Sequence, residues 1–315
     1  MNDFDRNIHC LLGLPFDAVD MQQAVEHIRT AAKTAAPCFL STPNLNFTIA
    51  CRHDGDFRDS VIHSDLSIAD GMPLVWIARL LKIPISERVA GSGLFEQLYL
   101  SSDVGEEKMS IFFVGGEGGM AEKACETTNR EATGLECRGF LDPGFGSVES
   151  MGREQDLNEI NAAKADFLVV ALGARKGQQW IMKNRQKLDA PVISHLGAVV
   201  NFVAGSVSRA PVWMQKTGLE WLWRIKEEPL LWRRYWSDGL GLMSLLVTRI
   251  IPYVIWLRFQ GRRSGKQPRV ETVNNVNEMQ LRFSGDFGGE NLDEVRKAFR
   301  ESAAFTSRVT LDLAN

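Results

Sequence analysis

The run Ala165-Asp-Phe-Leu-Val-Val-Ala-Leu-Gly173 constrains the fold more than any other stretch of this chain. Its apolar residues follow one another without polar alternation. Both faces of such a strand must be covered, as in a parallel sheet between two helical layers. Further apolar strands are predicted within 10–19 (with a turn), at 37–41, from 65, at 110–115, within 137–145 and at 191–197. Helical spacing separates them at 21–35, 44–54, from about 73, through 99, after 116, at 154–164, at 178–187 and at 198–204. Strands alternating with helices over 10–205 predict an α/β domain, a doubly wound parallel sheet, without internal repeats. Residues 65–76 are expected to form its central strand and turn.

That stretch, Leu66-Ser-Ile-Ala-Asp-Gly-Met-Pro-Leu-Val-Trp76, delivers one acid onto a glycine. A carboxylate at a strand end is a natural general base, so Asp70 is the leading catalytic candidate; the plainer reading of Asp-Gly is a turn. Thr42-Pro-Asn44 follows another strand. Thr42 and Pro43 suit the N-cap and first position of the helix at 44–54, while Thr42 and Asn44 are equally placed to face a ligand. Arg88 precedes Val-Ala-Gly-Ser-Gly93, a small-residue turn that lets backbone N–H groups approach an anion; the alternative is a solvated arginine. Gly115 and Gly116 join a strand to a helix in a pyrophosphate-binding arrangement, although the sequence matches neither G-x-G-x-x-G nor a Walker loop. Arg175 and Lys176 are expected to precede the helix at 178–187.

Charge and aromatics change character near residue 206. The whole chain carries −3, yet residues 201–270 hold twelve Lys/Arg against four acids, so the remainder is strongly acidic. Six of the eight tryptophans lie between 213 and 256, and 239–259 is almost wholly apolar apart from Arg249 and Pro252. Length alone permits a membrane-crossing helix, but the central Arg and Pro oppose one. With the basic flank Gly261-Arg-Arg-Ser-Gly-Lys266, the segment suits an anionic membrane surface. The alternatives are aromatic packing in an ordinary helix pair and, more remotely, nucleic acid, for which no reader fold is evident. The five cysteines show no paired spacing, which predicts free thiols in a reducing compartment; no secretion signal is read at the N-terminus, and the histidines lack ligand spacing. Residues 261–272 read as a linker, and 273–315 as a small βαβ segment.

Residues 10–236 resemble the WecG/TagA/CpsF glycosyltransferase family. The likeness rests on Thr42-Pro-Asn44, Ala69-Asp-Gly-Met-Pro73, Glu87-Arg-Val-Ala-Gly-Ser92, Ala171-Leu-Gly173, Arg209-Ala-Pro-Val-Trp213 and Gly218-Leu-Glu-Trp-Leu-Trp-Arg224, extended by Glu228-Pro229 and Arg233-Arg-Tyr235. It implies a Rossmann-like body over 1–205 and a Trp/Arg-rich helical membrane-associating appendage over 206–260. The implied reaction is inverting, metal-independent transfer of an N-acetylhexosamine, hexose or uronic-acid sugar from a UDP-sugar to an undecaprenyl-pyrophosphate-linked acceptor, without a cofactor. It also implies a cytoplasmic place at the inner face of the cell membrane, no nucleic-acid partner, and a homo-oligomer left open. Asp70 would be the base, with Thr42 and Asn44 beside it; Arg88, Gly115, Gly116, Gly173, Gln178, Arg209, Arg224 and Arg233 would bind substrate. Asp54-Gly-Asp56 spells a metal motif but lies outside the matched blocks.

Two departures stand out. The family's Pro-Lys-Gln-Glu after the Leu-Gly strand end is Arg175-Lys-Gly-Gln178 here, so a glutamine is replaced by Gly177; a Phe-Asp pair is replaced by Val200-Asn201. They leave open a non-catalytic UDP-sugar- or lipid-binding regulator, and a soluble enzyme with a buried Trp-rich subdomain is the third reading. The tail resembles the start of a STAS domain, a module implying regulation or partner binding, and such a domain is expected to continue beyond it.

Overall fold

The computed structural model describes residues 6–101, 107–260, 269–275, 278–284, 291–305 and 309–312, so the basic flank at 261–266 lies outside the described residues. It divides into two compact units, one of Ile8–Leu246 and one of Met1–Asn7 with Val247–Asn315.

The larger unit opens with an antiparallel hairpin, β1 (Ile8–Leu11) and β2 (Leu14–Asp17). Next come α1 (Met21–Thr34), β3 (Cys38–Ser41), α2 (Leu45–Ala50), α3 (Gly55–Ile62), β4 (Leu66–Ser67), α4 (Met72–Leu80) and α5 (Gly91–Leu100). Then follow β5 (Met109–Gly115), α6 (Met120–Glu131), β6 (Leu135–Leu141), α7 (Glu154–Ala162), β7 (Phe167–Ala171), α8 (Ala174–Asn184), β8 (Val192–His195) and α9 (Gly197–Val203). Local chemistry sets the starts: Asp20 and Gln23 form a reciprocal capping box on α1, and Asp54 caps α3 through the Phe57 N–H. The six strands β4-β3-β8-β7-β5-β6 form one parallel sheet.

Two apolar layers cover it. Ile28, Phe95, Ala124 and Val199 of α1, α5, α6 and α9 pack on one face, and Leu157, Ile160, Trp180 and Ile181 of α7 and α8 on the other. The chain leaves β7 toward the α7–α8 face and leaves β5 and β8 toward the opposite one. A crevice therefore opens at the C-terminal edge, where open α/β sheets bind ligands.

Several expectations are corrected. The strand before Asp70 is not central: β4 is two residues long and sits at the sheet edge. Its apolar run is buried because the β1–β2 hairpin covers that edge. The Ser67 N–H donates to Asp17 Oδ2 at 2.7 Å, and the Ser67 hydroxyl to the Pro15 carbonyl at 2.7 Å. Asn44, not Thr42, caps the helix after β3, accepting from the Phe47 N–H at 3.2 Å. Helix α8 begins four residues early, so Arg175 and Lys176 lie in its first turn. Cys125 and Cys137 are joined in a disulfide with Cα atoms 5.2 Å apart, against the expectation of free thiols. Their separation of 12 residues gives no pairing signal, because α6 folding back beside β6 creates the proximity.

The unit continues through α10 (Val212–Thr217), α11 (Glu220–Glu227) and α12 (Leu231–Leu245). Helix α12 docks on α2: Asn46 Nδ2 donates to the buried Asp238 Oδ1 at 3.0 Å, and Gly241 lies against Ile49. Trp232, Trp236, Leu240 and Met243, spaced along one helical face, are exposed.

A π-helical turn (Leu246–Ile250), which begins at the last residue of the first unit, precedes α13 (Ile251–Gln260). Pro252 cannot donate to an α-helical partner four residues back, and a wider turn accommodates it. Among the described residues, the helical run Leu231–Phe259 is the one long and apolar enough to cross a membrane, by length and composition only. Beyond it, β9 (Arg269–Asn275), β10 (Glu278–Ser284), α14 (Leu292–Phe305) and β11 (Val309–Asp312) form a three-stranded sheet ordered β11-β10-β9 with one helix. Strand β9 starts inside the expected linker; its polar Arg-Val-Glu-Thr-Val-Asn-Asn sequence has no apolar run to announce it.

Candidate active site

Three loops meet around Asp70. The Asp70 N–H donates to the Pro43 carbonyl at 3.0 Å, and the Val89 N–H to the Ala69 carbonyl at 3.0 Å, so the segments after β3, after β4 and before α5 are laced together. Asp70 Oδ2 accepts from the N–H of Gly91, the first residue of α5, at 3.3 Å. A Cβ on Gly91 would lie 2.7 Å from Leu196 Cδ2 and 3.0 Å from Thr42 Cγ2. Only glycine lets the α5 N-terminus come that close to β3 and present its amide to the carboxylate.

Asp70 Oδ1 lies 3.4 Å from Arg88 Nη2, and the same nitrogen is 2.6 Å from Glu220 Oε2. Arg88 thus bridges two acids, while its Nη1 donates to the Gln215 carbonyl at 3.5 Å. Burial pushes the Asp70 carboxyl above its ordinary value; Arg88 and the Gly91 amide pull it back, and Glu220 adds to the rise. The side chain still keeps 23% of its surface open, enough for a substrate to reach it. A carboxylate poised this way accepts a proton from a hydroxyl more readily than one solvated at the surface.

Thr42 is buried against Gly91, and its hydroxyl has no hydrogen-bond partner among the described residues. Asn44 spends its Oδ1 on capping α2 and keeps its Nδ2 uncommitted among those residues, with its Cβ near Gly71. The structure thus gathers Thr42, Asn44, Asp70 and Arg88 into one group.

The other sequence candidates are dispersed. Gly115 and Gly116, at φ +89° and +101°, press the end of β5 against Ala171, Ala121 and Val200, where a Cβ would collide. Gly173 caps α8 at φ +79° with open space around it. Gln178 is fully buried, and its amide exchanges hydrogen bonds with the Ser41 hydroxyl. Arg209 and Arg224 flank the Phe202 ring at 5.9 and 5.3 Å and pair with Glu96 and Glu228 respectively. Arg209 also lines a cavity of about 210 Å³ with Ser92, Phe95 and Glu96. Arg233 is exposed on α12 over Trp232 and shares no contact with the Asp70 group.

Sequence reasoning missed Glu220, Phe202 and His195. Glu220 stands inside a quoted motif, but nothing in its spacing announces the partner 132 residues away. Phe202 reads as an ordinary apolar helix position. His195 ends β8, fully surrounded, with Nε2 unpartnered. The Asp54-Gly55-Asp56 motif is accounted for structurally: Asp54 caps α3 and pairs with Arg175 at 2.8 Å. Among the described residues, no three His, Cys, Asp or Glu gather as a metal would require.

A crevice outside the carboxyl ends of parallel strands is where open α/β folds take nucleotides and similar anions, and a reachable carboxylate beside arginine adds proton transfer to binding. The class so defined is an α/β protein whose crevice suits an anionic ligand and proton transfer. A family model described as Glycosyl transferase WecG/TagA/CpsF family matches residues 9–253, and the chain belongs to that family. Among similar proteins is one from Bacillus spizizenii, 27% identical over 71% of this chain and 85% of its own length. Another from Bacillus subtilis is 28% identical over 63% of this chain and 75% of its own, and one from Staphylococcus aureus is 24% identical over 68% and 82%. All three are described as N-acetylglucosaminyldiphosphoundecaprenol N-acetyl-beta-D-mannosaminyltransferases.

Proposed function

We propose that this protein is an inverting glycosyltransferase that moves a sugar from a UDP-sugar onto a polyprenyl-diphosphate-linked acceptor. The observation that carries this reading is the reachable Asp70 carboxylate, held between the Gly91 amide and Arg88 within the family-matched region. Asp70 takes the proton from the acceptor hydroxyl as its oxygen attacks the anomeric carbon. The bond from that carbon to the diphosphate breaks, and UDP leaves with the electron pair. Arg88, the arginine that the Asp70 group holds, is the side chain suited to meet its negative charge, which makes a metal unnecessary in this reading. Thr42 and Asn44 supply the uncommitted hydroxyl and amide that orient substrate beside the base.

The exposed tryptophans Trp213, Trp221, Trp232 and Trp236 among arginines suit the headgroup region of an anionic membrane, from which the lipid acceptor is drawn. The relatives' described activity makes UDP-N-acetylmannosamine the first donor to test, with N-acetylglucosaminyl-diphosphoundecaprenol as acceptor. Turnover is measured as UDP release with 5'-labelled donor panels in EDTA, and the product's anomeric configuration is read by NMR. UDP release with inverted configuration supports the reading. A second reading, a nucleotide-sugar-binding regulator, draws on the bare Gly177 and the buried Gln178. UDP binding without turnover of any donor favours it.

A further inference from the structure

Ser92, Phe95, Glu96 and Tyr99 share one helical face of α5 and line one wall of the cavity of about 210 Å³. Val199, Phe202 and Val203, spaced in the same way on α9, line another. Along α5 the groove runs from Ser92 to Tyr99, about 10 Å. Its Ser92 end adjoins the catalytic group, because Ser92 follows Gly91, whose N–H meets Asp70 Oδ2 at 3.3 Å. Arg209 enters one helical turn further along: it pairs with Glu96, lies 5.9 Å from the Phe202 ring, and keeps 22% of its side chain open. The segment carrying it is tied to the tryptophan-bearing α11. The Trp223 Nε1–H donates to the Ser208 carbonyl at 3.0 Å, and the Ser208 hydroxyl to Glu227 Oε2 at 2.7 Å.

Chemistry therefore changes along the groove in a fixed order: a carboxylate at one end, then a guanidinium, then aromatic and aliphatic walls. A diphosphate-linked polyprenyl acceptor carries the matching order, with a sugar hydroxyl, an anionic diphosphate and a branched hydrocarbon chain. We infer that this cavity is the acceptor's prenyl site: Arg209 meets the diphosphate, and Phe95, Tyr99, Phe202 and Val203 enclose the isoprene units nearest to it. The inference rests on the glycosyltransferase reading. A guanidinium has five N–H donors, more than one carboxylate engages, so Arg209 holds Glu96 and a phosphate oxygen together. A small anion alone leaves the aromatic walls unused, whereas a prenyl chain gains affinity in proportion to the apolar surface it buries there.

The test is calorimetric binding of farnesyl diphosphate, compared with inorganic pyrophosphate, to the full chain with UDP saturating. Wild type should bind the prenyl probe about tenfold or more tightly than pyrophosphate, since the two differ by the buried hydrocarbon. Val203→Trp fills the groove and should weaken prenyl binding about tenfold, with pyrophosphate binding within about twofold of wild type. Arg209→Gln should weaken both probes by a similar factor, about threefold to tenfold. A benzophenone-bearing prenyl diphosphate on wild type gives a second measurement, with crosslinks expected within 92–99 and 199–203. It keeps the test decisive should Val203→Trp fail to fold. Equal binding of the two probes by wild type, undiminished prenyl affinity in a folded Val203→Trp, or crosslinks confined to 231–260 overturns the prenyl site and leaves the transferase reading standing. Absence of UDP binding by wild type overturns that reading as well.

Discussion

At the level of single residues, neighbours set the charge of Asp70. Its carboxyl is raised by burial and by Glu220, and lowered by Arg88. A base must be deprotonated, so kcat/KM should fall as pH drops through that raised value, giving an acid limb above the ordinary carboxylate pKa of about 3.9. Glu220→Gln removes a raising charge and should move the limb to lower pH; Arg88→Gln removes the lowering charge and should move it up. A pH–rate profile of each variant checks the directions. His195 makes a separate prediction about stability. Its pKa is lowered from 6.5 to about 4, so the folded state resists protonation. Its contribution is complete above pH 6.5 and is lost as pH falls toward 4, up to about 3 kcal/mol. Asp70, shifted upward, acts with the opposite sign, so the comparison of wild type with His195→Gln in urea unfolding at pH 7 and 4.5 isolates the histidine. Gly91→Ala should cost about 1–3 kcal/mol through its contacts with Leu196 and Thr42, and should lower activity by displacing the amide that Asp70 accepts from.

Among the elements, α12 carries the most testable consequence. Its inner face is fixed by Asp238 to Asn46 and by Gly241 over Ile49, which leaves Trp232 and Trp236 outward. Replacing both by Ser should reduce partition onto anionic vesicles by about tenfold or more without unfolding the chain. Partition should also weaken with salt, because Arg233 and Arg234 adjoin the same face. The long, periodic elements of the body were legible because apolar spacing and caps act locally, as in α1 with its Asp20–Gln23 box. Strand β4 was legible as buried but not as an edge, since the hairpin that covers it joins residues 50 apart in sequence. The polar strand β9 carried no local signal, and neither did the disulfide. In the site, Thr42, Asn44 and Asp70 were legible as residue types following strands, and Arg88 as a cation before a small-residue turn. Glu220 was not, because its contact with Arg88 joins residues 132 apart in sequence.

For the molecule as a whole, the unit Ile8–Leu246 holds the sheet, the crevice and α12, and is compact by itself. A chain ending at Leu246 should therefore fold, bind nucleotide-sugar and turn over a soluble acceptor analogue; circular dichroism and UDP release check both. The central claim is that Asp70 is the base. The measurement that tests it is UDP release by wild type and Asp70→Asn with the same donor, acceptor and EDTA, alongside UDP affinity. Asparagine keeps the shape and removes the proton acceptor. A fall in kcat of about a hundredfold or more with UDP binding intact is the expected result. Turnover by Asp70→Asn at the wild-type rate would contradict it.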